Sequence, residues 1–166
     1  YNGSRYLLEM LDSLRNQTRA IDEVLFFDDR STDSSREIIQ TYISEHKLSN
    51  WKLIINENNK GWEKNFTNGI SAATGDIIFP CDQYDVWHLD KIEKISNAFE
   101  SNNDIFLLVS GYHAFSENGG KMVVQQHVQT ETEDEVSKVV FNEKYYQICR
   151  PGCTMAFRKE IMPAFL

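Results

Sequence analysis

The sequence predicts an α/β domain with a mostly parallel sheet flanked by helices, and three observations carry that expectation. Hydrophobic residues in the first two-thirds of the chain switch repeatedly between helical spacing and short continuous runs. The runs are apolar along their whole length, as in strands covered on both faces. Each run leads through a polar loop into a helical pattern, so successive strands are joined by crossovers. At 166 residues the chain has the size of one domain. A domain of that size buries ~70% of its extended-chain surface and folds without disulfides or structural metal.

The elements follow in order. Ser4 is a candidate N-cap for a helix marked by Leu7, Leu8, Leu11 and Leu14. Val24 to Phe27 is the first apolar run, and the polar stretch Asp28-Asp29-Arg30-Ser31-Thr32-Asp33 follows it. Ile38, Ile39, Tyr42 and Ile43 return to helical spacing, Leu53-Ile54-Ile55 is a second strand, and Asn56 to Gly61 is a loop. A helix from Trp62 to Ala73 ends before Gly75, which suits a left-handed C′ position. Ile77-Ile78-Phe79 is a third strand running into Pro80-Cys81-Asp82. Leu89, Ile92, Ile95 and Phe99 mark a further helix, and Ile105 to Val109 a further strand. The last third changes character. Glu117-Asn118-Gly119-Gly120 is a hairpin-turn signal before Met122-Val123-Val124, and Glu131 to Glu135 is an acidic, solvated loop. Arg150-Pro151-Gly152-Cys153-Thr154 is a stiff turn leading into an apolar strand.

Composition narrows the function classes. Hydrophobic residues at 41% and charged residues at 25% exclude a disordered or fibrous chain. A net charge of −8 argues against nucleic acid or anionic lipid as the main partner. An anionic ligand must then be held by backbone N–H groups, a few cations or a metal. No apolar run reaches the ~18 residues of a membrane span, and no secretory signal opens the sequence. Cys81, Cys149 and Cys153 are an odd number, which favours a reducing cytoplasm. With His88 and His113 they match no zinc-ligand spacing. The Asn-x-Ser/Thr triplets at Asn2, Asn16 and Asn65 read as chance.

Ligands of open α/β sheets bind beyond the carboxyl ends of the strands. Two acidic clusters fall there, Asp28-Asp29 after the first strand and Asp82/Asp85 after the third. Carboxylates at such ends accept hydrogen bonds from a base or ribose, or hold a hard cation through oxygen. The structural alternative is that Asp28, Asp29 and Asp33 make an Asx turn and cap a helix.

Tyr1-Asn2-Gly3, Leu11 to Thr18, Phe27 to Asp33, Asn59-Lys60-Gly61 with Lys64-Asn65-Phe66, Thr74 to Phe79 running into Cys81 to Trp87, Asp90-Lys91-Ile92, and Gly152 to Phe157 stand in one order. In that order they resemble family 2 glycosyltransferases of the GT-A fold, with the flavour of bacterial polysaccharide and rhamnosyltransferase-like members. The resemblance implies a single nucleotide-sugar-binding domain over residues 1–166, on a Rossmann-like sheet. It implies that Tyr1 lies near the nucleotide base, that Asp29 accepts a hydrogen bond from it, and that Lys64 faces the nucleotide or its phosphates. It further implies that Asp82 opens an Asp-x-Asp-type motif for ribose and diphosphate, and that Gly152 and Cys153 line the sugar pocket. The structural alternatives are a frayed Tyr1, a surface Lys64 and a packed Cys153.

Two departures qualify the resemblance. A carboxylate is usual where Tyr84 stands, so the divalent cation (Mg²⁺ or Mn²⁺) is expected to be weakened or absent. Asp82 and Asp85 are the remaining nearby carboxylates, and in an extended segment Asp85 would point away from its neighbour Tyr84's face. The family's first strand, before Tyr1, and its catalytic-base segment, after Leu166, are also missing, so the sequence reads as a fragment incomplete at both ends. The resulting expectation is a glycosyltransferase using a nucleoside-diphosphate-sugar donor and a glycan or lipid-linked acceptor in cell-surface polysaccharide assembly. It would act in the cytoplasm or at the inner face of the membrane, by inversion, with the catalytic residue not identified. Two rivals accompany it. One is a degenerate homologue that binds nucleotide sugar without turnover, motivated by Tyr84. The other is a metal-dependent adhesion module, which Asp29-x-Ser31 partly fits and which leaves Asp82 to Trp87 unexplained.

Overall fold

The computed structural model describes residues 1–113, 136 and 152–164. The predicted hairpin at Glu117–Val124, the acidic stretch Glu131–Glu135, and Cys149, Arg150 and Pro151 lie outside the described residues. In chain order the elements are α1 (Leu7–Arg15), β1 (Val24–Asp28), α2 (Ser35–Glu45), β2 (Trp51–Ile55), α3 (Trp62–Ala72), β3 (Ile77–Ile78), α4 (Lys91–Ser101), β4 (Leu107–Val109) and β5 (Met155–Arg158). Short 3₁₀ turns, Gly152–Thr154 and Lys159–Ala164, bracket β5.

β1 and β2 pair in parallel from Val24↔Trp51 to Asp28↔Ile55, with α2 as the crossover. β3 and β4 both pair antiparallel with β5, through Ile78↔Phe157 and Leu108↔Ala156. β3 and β4 therefore run in the same direction on either side of β5. Within each of these two sheets the strands joined by a helical crossover share a sense, and the reversed strand comes from the last segment of the chain.

The sequence pattern explains the core. Leu7, Met10, Leu11 and Leu14 bury one stripe of α1 against Ile39, Tyr42, Trp51, Trp87 and Ile92. Burying a side chain of this size is worth ~1.5–3 kcal/mol relative to leaving it exposed. Leu8 falls off the stripe and stays exposed, because residues adjacent in a helix point about 100° apart. Ile95 and Phe99 of α4 pack on Ala156, forming the core beneath β5. Two polar side chains, buried Gln17 and half-buried Arg158, fix helix ends. Gln17 accepts the Ile92 N–H (3.0 Å), satisfying an orphan donor of α4, and donates to the Ser13 and His88 carbonyls. Arg158 donates to the Phe99 carbonyl near the end of α4 and to the Ile105 carbonyl.

Several local expectations are corrected. Ser4 does not cap α1, because its amide N–H is drawn to the Asp33 carboxylate and the helix starts after Tyr6 without a side-chain cap. Gly75 is not left-handed, since α3 ends by turning extended at Ala73. The left-handed glycine is Gly61 (φ 83°), at the other end of α3. Leu89 precedes α4 and is exposed. β3 is only Ile77–Ile78, ending just before Pro80, which has no N–H for a ladder. β1 is half-buried except for Asp28, so it is less covered than its apolar run suggests.

Candidate functional site

The polar loops at the carboxyl ends of β1 and β3 meet, and the N-terminal segment ties them together. Asp28 closes β1 and accepts the Ser31 N–H, three residues on, at Oδ2 (3.0 Å), while the Asx turn read from the sequence forms at Asp33, whose Oδ1 accepts the Ser35 N–H (3.0 Å). The Asp28–Ser31 turn puts Arg30 in the left-handed region (φ 66°) and presents Ser31 to Asp33 on one rim. The segment 2–4 is fastened along that rim. The Asn2 N–H donates to Ser31 Oγ (3.0 Å), the Gly3 N–H to Ser35 Oγ (2.9 Å) and the Ser4 N–H to Asp33 Oδ2 (3.0 Å). Asp33 is partly desolvated, which pushes its pKa up, but the hydrogen bonds from Ser35 and Ser4 outweigh this and hold it well below the usual carboxylate range.

Asp29 is only 3% exposed and is the hub of the β1 loop. Its Oδ1 accepts from Asn56 Nδ2 and the Lys60 N–H (both 2.8 Å), and its Oδ2 accepts the Gly61 N–H (2.9 Å). Burial raises its pKa, but the hydrogen bonds from Lys60, Asn56 and Gly61 overcome that penalty and the net shift is downward. Asn59 Nδ2 bonds the Asp29 carbonyl, and Asn65 links the Phe27 carbonyl to Asn56. Gly61 must be left-handed to aim its N–H at Asp29 while opening α3.

The β3 loop is a tight turn. The Asp85 N–H reaches the Asp82 carbonyl, and the Asp82 N–H donates to Asp85 Oδ2 (2.8 Å). The extended geometry expected for this segment is therefore corrected, and Asp85 folds back toward Asp82. Burial, and then the neighbouring Asp82 carboxylate, raise the pKa of the Tyr84 hydroxyl. Burial and then the nearby Asp85 charge raise the Asp82 pKa. Burial, and then the nearby Asp85 charge, push the pKa of the Cys153 thiol up to about 11. A Cβ placed on Gly3 would lie 2.6 Å from Gln83 Cγ, so the N-terminal segment sits directly on this turn.

The structure thus brings Asp29, Asp82, Asp85 and Cys153 into hydrogen-bonded loops at strand ends. Tyr1 is 56% exposed beside them, at the head of the fastened segment. Gly152 is exposed in the turn leading to β5. Lys64 is exposed on α3, with no hydrogen bond or ion pair to it found among the described residues, and the neighbouring Asn65 makes the connections instead. Sequence reasoning missed Asn56, Asn65 and Gln83 as organising side chains. The run Asn-Glu-Asn-Asn-Lys-Gly was the available signal, because such side chains bond loop backbone.

The described residues do not fit a prebuilt divalent-cation site. A hard cation takes ~6–8 oxygen ligands, whereas this turn offers the carboxylates of Asp82 and Asp85, and Asp85 Oδ2 already accepts the Asp82 N–H. Among the described residues no group of three or more acid, His or Cys ligands converges.

Comparison with known proteins places this geometry in context. The family model for glycosyl transferase family 2 matches residues 1–165. Two curated relatives align over nearly the whole chain. An uncharacterised glycosyltransferase of Nostoc sp. is 27% identical over 164 residues, 98% of this chain and 49% of its own length. The dTDP-rhamnosyl transferase RfbG of Shigella flexneri is 27% identical over 169 residues, 99% of this chain and 55% of its own length. The chain thus spans about half the length of the curated relatives it matches. Among solved structures, Staphylococcus aureus TarS 1-349 in complex with UDP-GlcNAc superposes with a TM-score of 0.76 at 23% identity, over 99% of this chain and 45% of that one. At that identity the likeness shows the fold, GT-A.

Proposed function

The chain belongs to glycosyl transferase family 2, and from that premise we propose that residues 1–166 form a nucleotide-sugar-binding domain. The enzyme carrying it would transfer sugar from a nucleoside-diphosphate-sugar to a hydroxyl of a glycan or lipid-linked acceptor, in cell-surface polysaccharide assembly. The observation that carries this reading is the fastening of three segments at the strand ends: 1–4, 28–33 with 56–61, and 82–85. Such a rim offers an aromatic face at Tyr1, a buried carboxylate at Asp29 and a second acidic turn at Asp82. The relative named for rhamnosyl transfer supports the reaction class.

In this reading Tyr1 stacks on the base and the remaining lone pair of Asp29 accepts its N–H. Lys64, exposed on α3, approaches the phosphates from solvent. Asp82 faces the ribose and diphosphate, and Gly152 and Cys153 line the sugar. The reaction is inversion: the acceptor oxygen attacks the anomeric carbon, a base takes its proton, and the nucleoside diphosphate leaves. Asp82 is not that base, because it serves the leaving-group side. Divalent-cation dependence is weak in this reading, since Asp85 Oδ2 is engaged by the Asp82 amide and Tyr84 stands where a carboxylate is usual. No helix among the described residues is long and apolar enough to cross a membrane, and we place the reaction in the cytoplasm or at the inner membrane face.

A binding homologue without turnover is the second reading, favoured by Tyr84 standing where a carboxylate is usual. Acceptor-dependent release of nucleoside diphosphate by the whole protein, over a panel of nucleotide sugars, separates the two. Release supports transfer, and donor binding without release supports the second reading.

A further inference from the structure

Lys91 is a half-buried cation that no step described so far uses. It is the first residue of α4, where a positive charge opposes the helix dipole. Desolvation lowers its pKa, partly offset by Cys81, Cys153 and Asp85, the titratable groups that face it. An apolar side chain would avoid both penalties, so packing does not account for a lysine here. Its ammonium donates to the Cys153 carbonyl and lies 4.0 Å from the centroid of the Trp87 ring, which is itself in the core.

These contacts form a chain. Asp85 holds the Asp82 amide, Lys91 holds the Cys153 carbonyl, and Trp87, two residues after Asp85, seats Lys91. The Gly152–Thr154 turn is thereby fastened to the loop that continues from the 82–85 turn, although about 70 residues separate them in sequence. We propose that Lys91 is a positioning residue of the donor site, fixing the turn that lines the sugar against the loop that faces the diphosphate. This rests on the nucleotide-sugar reading. The sugar contacts come from the turn and the base contacts from the β1 loop, so loss of Lys91 loosens the grip on the sugar and spares the nucleotide.

The test compares the whole wild-type protein with Lys91→Met, Lys91→Gln and Lys91→Arg. Lys91→Met is expected to raise the donor KM about tenfold, with inhibition by the nucleoside diphosphate alone unchanged within twofold. Lys91→Arg, which keeps the cation and its N–H donors, is expected to stay within about threefold of wild type. In ligand-free protein, the rate of Cys153 alkylation, read by peptide mass spectrometry, is expected to rise about tenfold in Lys91→Met. If Lys91→Met does not fold, Lys91→Gln decides, with a smaller rise in donor KM and in Cys153 alkylation. Donor KM and nucleoside-diphosphate inhibition falling off in parallel, or neither changing, would overturn the proposal. Unchanged Cys153 alkylation would also overturn it, whatever the wild type binds. Wild type that binds no nucleotide overturns the functional reading instead, while the alkylation result still judges the contact.

Discussion

The Asp29 carboxylate offers roughly four lone-pair positions, and Asn56, Lys60 and Gly61 fill three of them, leaving one on Oδ2. One group therefore serves both readings of this residue, as loop anchor and as acceptor for a base. Asp29→Ala is expected to weaken nucleoside-diphosphate binding ten- to a hundredfold, the loss of a charge-assisted hydrogen bond of ~1.5–3 kcal/mol. Asp29→Asn keeps the size and one acceptor oxygen, so it should weaken binding with a smaller loss of thermal stability. Calorimetry and melting curves on both variants check this, and unchanged affinity in both would leave Asp29 as an anchor only. The sign of its pH dependence follows from its lowered pKa. Its contribution is complete above the ordinary carboxylate pKa of about 3.9 and is lost as pH falls through the depressed folded value.

At the level of elements, the N-terminal segment and the 82–85 turn are coupled sterically. Gln83 Cγ and Cβ would lie 2.6 and 3.0 Å from a Cβ on Gly3, and neither atom is the free end of its side chain. Gly3→Ala should destabilise the protein by ~1–3 kcal/mol, as overpacking does, and adding Gln83→Gly should recover most of it. A double-mutant cycle by thermal denaturation is the measurement, and additive effects would show that the two segments do not touch. This contact also marks where sequence reading stopped. The helices were legible because Leu7, Leu11, Leu14, Ile92, Ile95 and Phe99 keep the 3.6-residue period that burial demands. Capping was not, because Ser4 and Gly75 satisfy local rules that tertiary partners override. Asp33 takes the Ser4 amide, and Asp29 sets the left-handed glycine at Gly61. Whether Asp85 pointed toward or away from Asp82 depended on a turn that period-2 reasoning does not contain.

For the whole molecule, strand–helix alternation gave the α/β class, and the order of weak motifs gave the family that the match over residues 1–165 establishes. The antiparallel insertion of β5 between β3 and β4 was not legible, because apolar strands carry no mark of direction. The acidic clusters were located correctly at strand ends, while the side chains that organise them, Asn56, Asn65, Gln83 and Lys91, each take a partner distant in sequence that no local pattern announces. The central claim is that these loops together form one nucleotide-sugar site. Isothermal titration of the whole protein with a panel of nucleoside diphosphates and their sugar conjugates, with and without Mn²⁺, tests it most directly. The account predicts saturable one-to-one binding of at least one nucleotide, tighter for its sugar conjugate, with little gain from Mn²⁺. Absence of binding to every member of the panel, in folded protein with Mn²⁺ present, would contradict it.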